Sequence, residues 1–78
     1  MSDDWVYFQI EPSYMTYVTR IIEGYGYLGV VTAIDGKKGT GFVRTTADTK
    51  GITTEILGGM PFAVTILTMS EAVDNDRA

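Results

Sequence analysis

The sequence predicts an α+β sandwich, one antiparallel sheet with helices layered against it. Three observations carry that prediction. Apolar and β-branched residues gather in four short stretches suited to strands, and the first and third alternate sides cleanly. Between them the spacing of apolar residues changes twice to three and four, as on a helix. The order that results is strand, helix, strand, strand, helix, strand.

"WVYFQI" (5–10) is β-branched and aromatic, which favours a strand. Trp5, Tyr7 and Gln9 share one face; Val6, Phe8 and Ile10 share the other and form the cleaner core set. In "PSYMTYVTRIIEGY" (12–25), Tyr14, Val18, Ile21, Ile22 and Tyr25 form a helix stripe. Ser13 is the expected N-cap, and Gly24 or Gly26 the stop. "YLGVVTAI" (27–34) is a second strand, and Asp35-Gly36 marks a tight reversal with Lys37, Lys38 and Gly39 in its loop. "TGFVRTT" (40–46) returns, with Thr40, Phe42 and Arg44 on one side and Gly41, Val43 and Thr45 on the other. "DTKGITTEILGG" (48–59) is a weaker helix, capped by Asp48 and edged by Ile52, Ile56 and Leu57. Gly58-Gly59 and Pro61 end it, and "FAVTILTM" (62–69) is the fourth strand.

Right-handed crossovers fold this order into a ferredoxin-like βαββαβ sandwich. Its four-stranded antiparallel sheet has strand order 4-1-3-2, with both helices on one face. Residues 1–4 read as a disordered acidic N-terminus, 5–69 as a single domain and 70–78 as a polar C-terminal tail.

With 78 residues the stability margin is thin, because a chain of this size buries only about 60 % of its unfolded surface. Small scaffolds usually add disulfides, a metal or a partner subunit. There is no Cys and no His, so disulfides, thiolate or imidazole metal sites and a Ser-His-Asp triad are excluded. Self-association is the device that remains. Net charge is −4, but residues 5–69 hold five acids and five bases, so the acidity belongs to the ends. Apolar runs such as Leu28 to Val31 are far too short for a membrane span, and "MSDDW" carries acid where a signal peptide carries base. A cytoplasmic protein with no membrane partner is expected.

The helices should cover one sheet face and leave Trp5, Tyr7, Gln9, Thr40, Phe42 and Arg44 on the other. A bare aromatic patch of that kind has a use. The first use is a partner copy of the chain, since aromatics and Arg are what interface centres prefer. The second is a small-molecule site at the sheet face, a helix start or a dimer seam. Amino-acid-sensing domains of this fold use such seams, although their first turn usually bears Gly and "EPSY" does not. The third is single-stranded nucleic acid. "KGTGFVRT" follows the RNA-recognition signature except that Thr40 and Thr45 stand at two aromatic places. Tyr7 and Phe42 remain as stacking positions, yet the basic footprint is weak.

No acid pair with catalytic spacing is evident, and no metal or cofactor is expected. Glu23, beside "GYGYLG", with Arg20 one turn earlier, is the secondary polar candidate. That glycine string follows a helix rather than opening one, so it reads as a helix stop, not a phosphate loop.

At "YVTRIIEGYGYLGVVTAID" the chain resembles a short bacterial family catalogued as a domain of unknown function, ferredoxin-like and ACT-like in topology. Its members resemble one another in an aromatic-containing first strand, a Tyr-x-x-x-Ile-x-Glu-x-Tyr helix and an apolar strand ending in Thr-x-Asp. Those places hold Tyr17, Ile21, Glu23, Tyr25, the strand Val30-Val31-Thr32, and Asp35, with the Thr and Asp one residue further apart. The resemblance spans residues 5–66 and implies a stand-alone prokaryotic protein, with no activity attached. The reading from sequence is a non-enzymatic homodimeric module associating through its open sheet face and binding a small regulatory ligand there. Single-strand nucleic-acid binding on that face is the alternative.

Overall fold

The structure is a computed structural model that describes residues 2–77, and side chains from 2 to 74. Strand β1 (Val6–Gln9) leads through a 3-10 turn (Pro12–Tyr14) into helix α1 (Met15–Gly24). Then come β2 (Val31–Asp35), β3 (Thr40–Val43), α2 (Ala47–Gly58), β4 (Thr65–Leu67) and a third helix, α3 (Met69–Arg77). The sheet order is β2-β3-β1-β4 with every pair antiparallel, the order predicted for a ferredoxin-like sandwich. Central strands β1 and β3 pair Val6 with Val43, Tyr7 with Phe42, Phe8 with Gly41 and Gln9 with Thr40.

The alternation in "WVYFQI" sorts the two faces as expected. Val6, Phe8, Ile10 and Val43 pack with Val18 and Ile22 of α1, Leu28, and Leu57 of α2. Phe8 and Ile22 are fully buried, and burying such a side chain contributes about 1.5–3 kcal/mol each.

Helix boundaries differ from expectation for local reasons. Pro12 opens a 3-10 turn, so α1 starts only at Met15 and Ser13 is not its N-cap. Helix α2 begins one residue before Asp48, with Thr46 as N-cap; the Thr49 hydroxyl accepts the Thr46 N–H at 3.0 Å. In the β2–β3 hairpin, Asp35 Oδ1 accepts the N–H groups of Lys37 and Lys38 at 2.9 and 3.2 Å. Gly39 closes the turn at φ 75°.

Two expectations are corrected. The segment read as a polar tail forms α3. The Thr68 N–H donates to Glu71 Oε1 at 2.8 Å and the Glu71 N–H to Thr68 Oγ1 at 3.1 Å, a reciprocal capping box. Behind that cap Ala72 is fully buried against the sheet, on the face that α1 and α2 leave uncovered. At the other end, residues 2–4 are tied to the body rather than disordered. The Ser2 carbonyl accepts the Tyr7 hydroxyl at 2.7 Å and the Trp5 N–H at 3.2 Å, and the Asp4 carbonyl accepts the Thr45 hydroxyl. Met1 and Ala78 lie outside the described residues. Among those described, no helix is long and apolar enough to cross a membrane.

Candidate functional site

The six predicted face residues do come together. Trp5, Tyr7 and Gln9 follow one side of β1, and Thr40 and Phe42 the same side of β3, with Arg44 just past its end. Trp5 and Phe42 stack with ring centroids 4.7 Å apart, and Tyr7 tilts against Phe42 at 5.9 Å. The Arg44 guanidinium lies 5.4 Å from the Trp5 ring centroid and 6.0 Å from that of Phe42, within cation–π range. Gln9 Nε2 donates to the Lys38 carbonyl at 3.4 Å.

The patch is not bare. Helix α3 crosses this face, and Ala72 and Met69 pack on Tyr7, Phe42, Ile34 and Leu67. Tyr7 is 2 % exposed, Phe42 8 % and Thr40 0 %. Only Arg44 stays exposed, with Trp5 and Gln9 half-buried. The expectation of an open sheet face is therefore corrected: Met69 and Ala72 of α3 shield it within one subunit. Sheet-to-sheet association and base stacking on Tyr7 and Phe42 both need α3 removed.

What stays accessible is the foot of the sheet. Here the start of β1, the first turns of α2, the end of β4 and the start of α3 converge around a cleft of about 450 Å³. Val6, Ile66, Trp5 and Met69 line it with apolar surface, and Lys50 and Thr54, one turn apart on α2, with polar groups. Lys50 Nζ donates to the Asp3 carbonyl, and the Thr54 hydroxyl to the Lys50 carbonyl at 2.9 Å. Tyr7 also borders the cleft; burial, the largest influence, raises its hydroxyl above the usual 10.0. The Ser2 hydrogen bond lowers it, and the negative charge of Asp3 raises it. Sequence reading found Trp5 and Tyr7 but not Lys50, Thr54 or Ile66. No local signal marked them, because the cleft is formed by residues of separate elements that meet only in the fold.

The secondary polar candidates separate. Glu23 Oε2 accepts the Val31 N–H at 3.0 Å and lines a hollow of about 300 Å³ with Gly26, Tyr27, Gly29 and Val30. Arg20 is exposed and outside that lining. Glu23 thus joins α1 to the edge of the sheet. Among the described residues no three metal-ligating side chains converge.

No curated protein and no solved structure matches this chain significantly. A family described as a domain of unknown function, DUF4911, matches residues 8–64, from β1 to the residue before β4. That span covers the sheet core and both helices of the first layer, and the chain belongs to the DUF4911 family.

Proposed function

We propose that the protein is a small non-catalytic binding module whose ligand occupies the cleft beside Trp5. The observation that carries this reading is the convergence of an aromatic ring, apolar side chains and one ammonium around a space of about 450 Å³. Small-molecule sites are concave, mostly apolar and provided with a few polar groups that fix orientation. Trp5 offers aromatic surface, Lys50 a donor for a carboxylate, and Thr54 a hydroxyl. The chemistry that fits is a small flat molecule with an anionic end. The proposal keeps the small-ligand partner and cytoplasmic setting expected from sequence, and moves the site from the sheet face to its foot.

Trp5 is the only Trp and reports directly on this cleft. Titration with phenylacetate, followed by Trp5 emission, should saturate. Lys50→Ala should weaken it by about tenfold, the loss of one charge-assisted contact. A flat emission signal up to millimolar phenylacetate, with no change in thermal midpoint, counts against the reading.

A further inference from the structure

The glycine string after α1 is fixed at both ends and frames a hollow on the far side of α1 from nothing that the cleft uses: the two share no lining residue. At its start the Tyr25 N–H bonds the Ile22 carbonyl at 3.3 Å and the Gly26 N–H the Glu23 carbonyl at 3.1 Å. Gly26 turns the chain at φ 81°, a conformation that favours glycine. At its end Gly29 lies so close to β3 that a Cβ would meet the Arg44 carbonyl oxygen at 2.3 Å. The Val30 carbonyl accepts the Arg44 N–H at 3.0 Å, and Glu23 Oε2 accepts the Val31 N–H at the same distance. The hollow of about 300 Å³ among Glu23, Gly26, Tyr27, Gly29 and Val30 is thus held in shape before any ligand arrives.

Its electrostatics are one-sided. Glu23 stands in the last turn of α1, where the helix dipole is negative and a cation is the stabilising neighbour. No basic residue occupies that turn. Among the described residues Glu23 makes no ion pair, and its second carboxylate oxygen has no partner. Arg20, one turn earlier, does not line the hollow. Tyr27 is 61 % exposed and Val30 58 %, so aromatic and aliphatic surface stands beside this carboxylate. A metal ion would meet one carboxylate and no second acidic side chain here. An organic cation meets charge, ring and methyl groups together.

We propose that this hollow binds a small primary ammonium carried on a short apolar body, with Glu23 as the counter-charge and Tyr27 and Val30 against the body. The volume is at the low end for ligand sites, which suits a single-ring amine. The cleft beside Trp5 offers an ammonium to an anion, whereas this hollow offers a carboxylate to a cation. The two readings stand or fall separately.

The test is a two-dimensional amide spectrum of the full chain titrated with phenethylamine, with phenethyl alcohol as the uncharged control. The amine should give saturable shifts at the amides of Gly26, Tyr27, Gly29 and Val31 at millimolar concentration, weakened by salt, and the alcohol none. Glu23→Gln keeps an oxygen for the Val31 N–H and removes the charge; it should fold and bind about tenfold more weakly. Tyr27→Ala removes an exposed ring and should bind about two- to fivefold more weakly. Equal shifts with amine and alcohol overturn the proposal. So does an amine that leaves these amides unmoved, or moves them no more than those of Asp3, Asp4 and Asp74. A folded Glu23→Gln or Tyr27→Ala with wild-type affinity overturns it too. Should Glu23→Gln fail to fold, the comparison of amine with alcohol on the wild type decides alone.

Discussion

Trp5 lies flat on Phe42, ring planes within 3° and centroids 4.7 Å apart, with the Arg44 guanidinium beside them. The stack closes one end of the sheet face whose middle is covered by α3 through Ala72. It also fixes the ring that lines the cleft at the foot of the sheet. Packing of β1 on β3 and the shape of the binding cleft are thus parts of one arrangement, and the predictions follow from it.

Ala72→Asp should detach α3. Ala72 is fully buried against Tyr7 and Phe42, and a carboxylate there would be stripped of water among apolar side chains. We expect a loss of about 1–3 kcal/mol in urea unfolding, with a rise in dye binding to exposed apolar surface. Unchanged stability and dye binding would mean that α3 does not pack on this face.

Glycine substitutions in the β2–β3 hairpin should separate sharply. Gly39 has φ 75°, and a Cβ there would meet the Ile10 carbonyl oxygen at 1.8 Å. Gly39→Ala should therefore cost roughly 1–3 kcal/mol or more by strain and clash. Gly36 has open space around its Cβ position and no positive φ, so Gly36→Ala should change stability by less than about 0.5 kcal/mol. Thermal unfolding of the pair reads the contrast.

Thr40→Val should stabilise. The Thr40 hydroxyl is fully buried in β3 and has no hydrogen-bond partner among the described residues. A methyl in its place removes a desolvation cost and suits a strand, a gain of about 1 kcal/mol. A lower urea midpoint for the variant would reveal a partner for that hydroxyl.

Alkaline stability should depend on Tyr7. Its folded-state value is raised, first by burial, so above pH 10.0 the unfolded chain gives up this proton before the folded one. The Tyr7 contribution is fully present below that pH and is lost as pH rises through the raised value. Tyr7→Phe, which also loses the Ser2 hydrogen bond, should lower stability at neutral pH and flatten its decline above pH 10.0. An equal decline in both proteins would place the titration elsewhere.

Strand order was legible in the sequence because alternation in "WVYFQI" and "TGFVRTT" and the stripe Val18/Ile22 leave little choice of faces. The third helix was not, because "SEAVDNDRA" is polar and weak in helix propensity. Its signal was the Thr68-x-x-Glu71 box, followed by Ala72 and Val73 three and four residues after Met69. Missing it turned a covered face into an open one, and placed the candidate site over Tyr7 and Phe42 instead of beside Trp5. The cleft itself depends on how α2 sits against β4, a tertiary relation that no local spacing encodes.

The most direct measurement of the binding claim is a two-dimensional amide spectrum of the full chain titrated with phenylacetate and indole-3-acetate. The predicted result is saturable shifts at the Trp5 indole N–H and the amides of Lys50, Thr54, Ile66 and Thr68, which share the cleft. No shifts at millimolar ligand, or shifts confined to the Glu23–Val30 hollow, would contradict it.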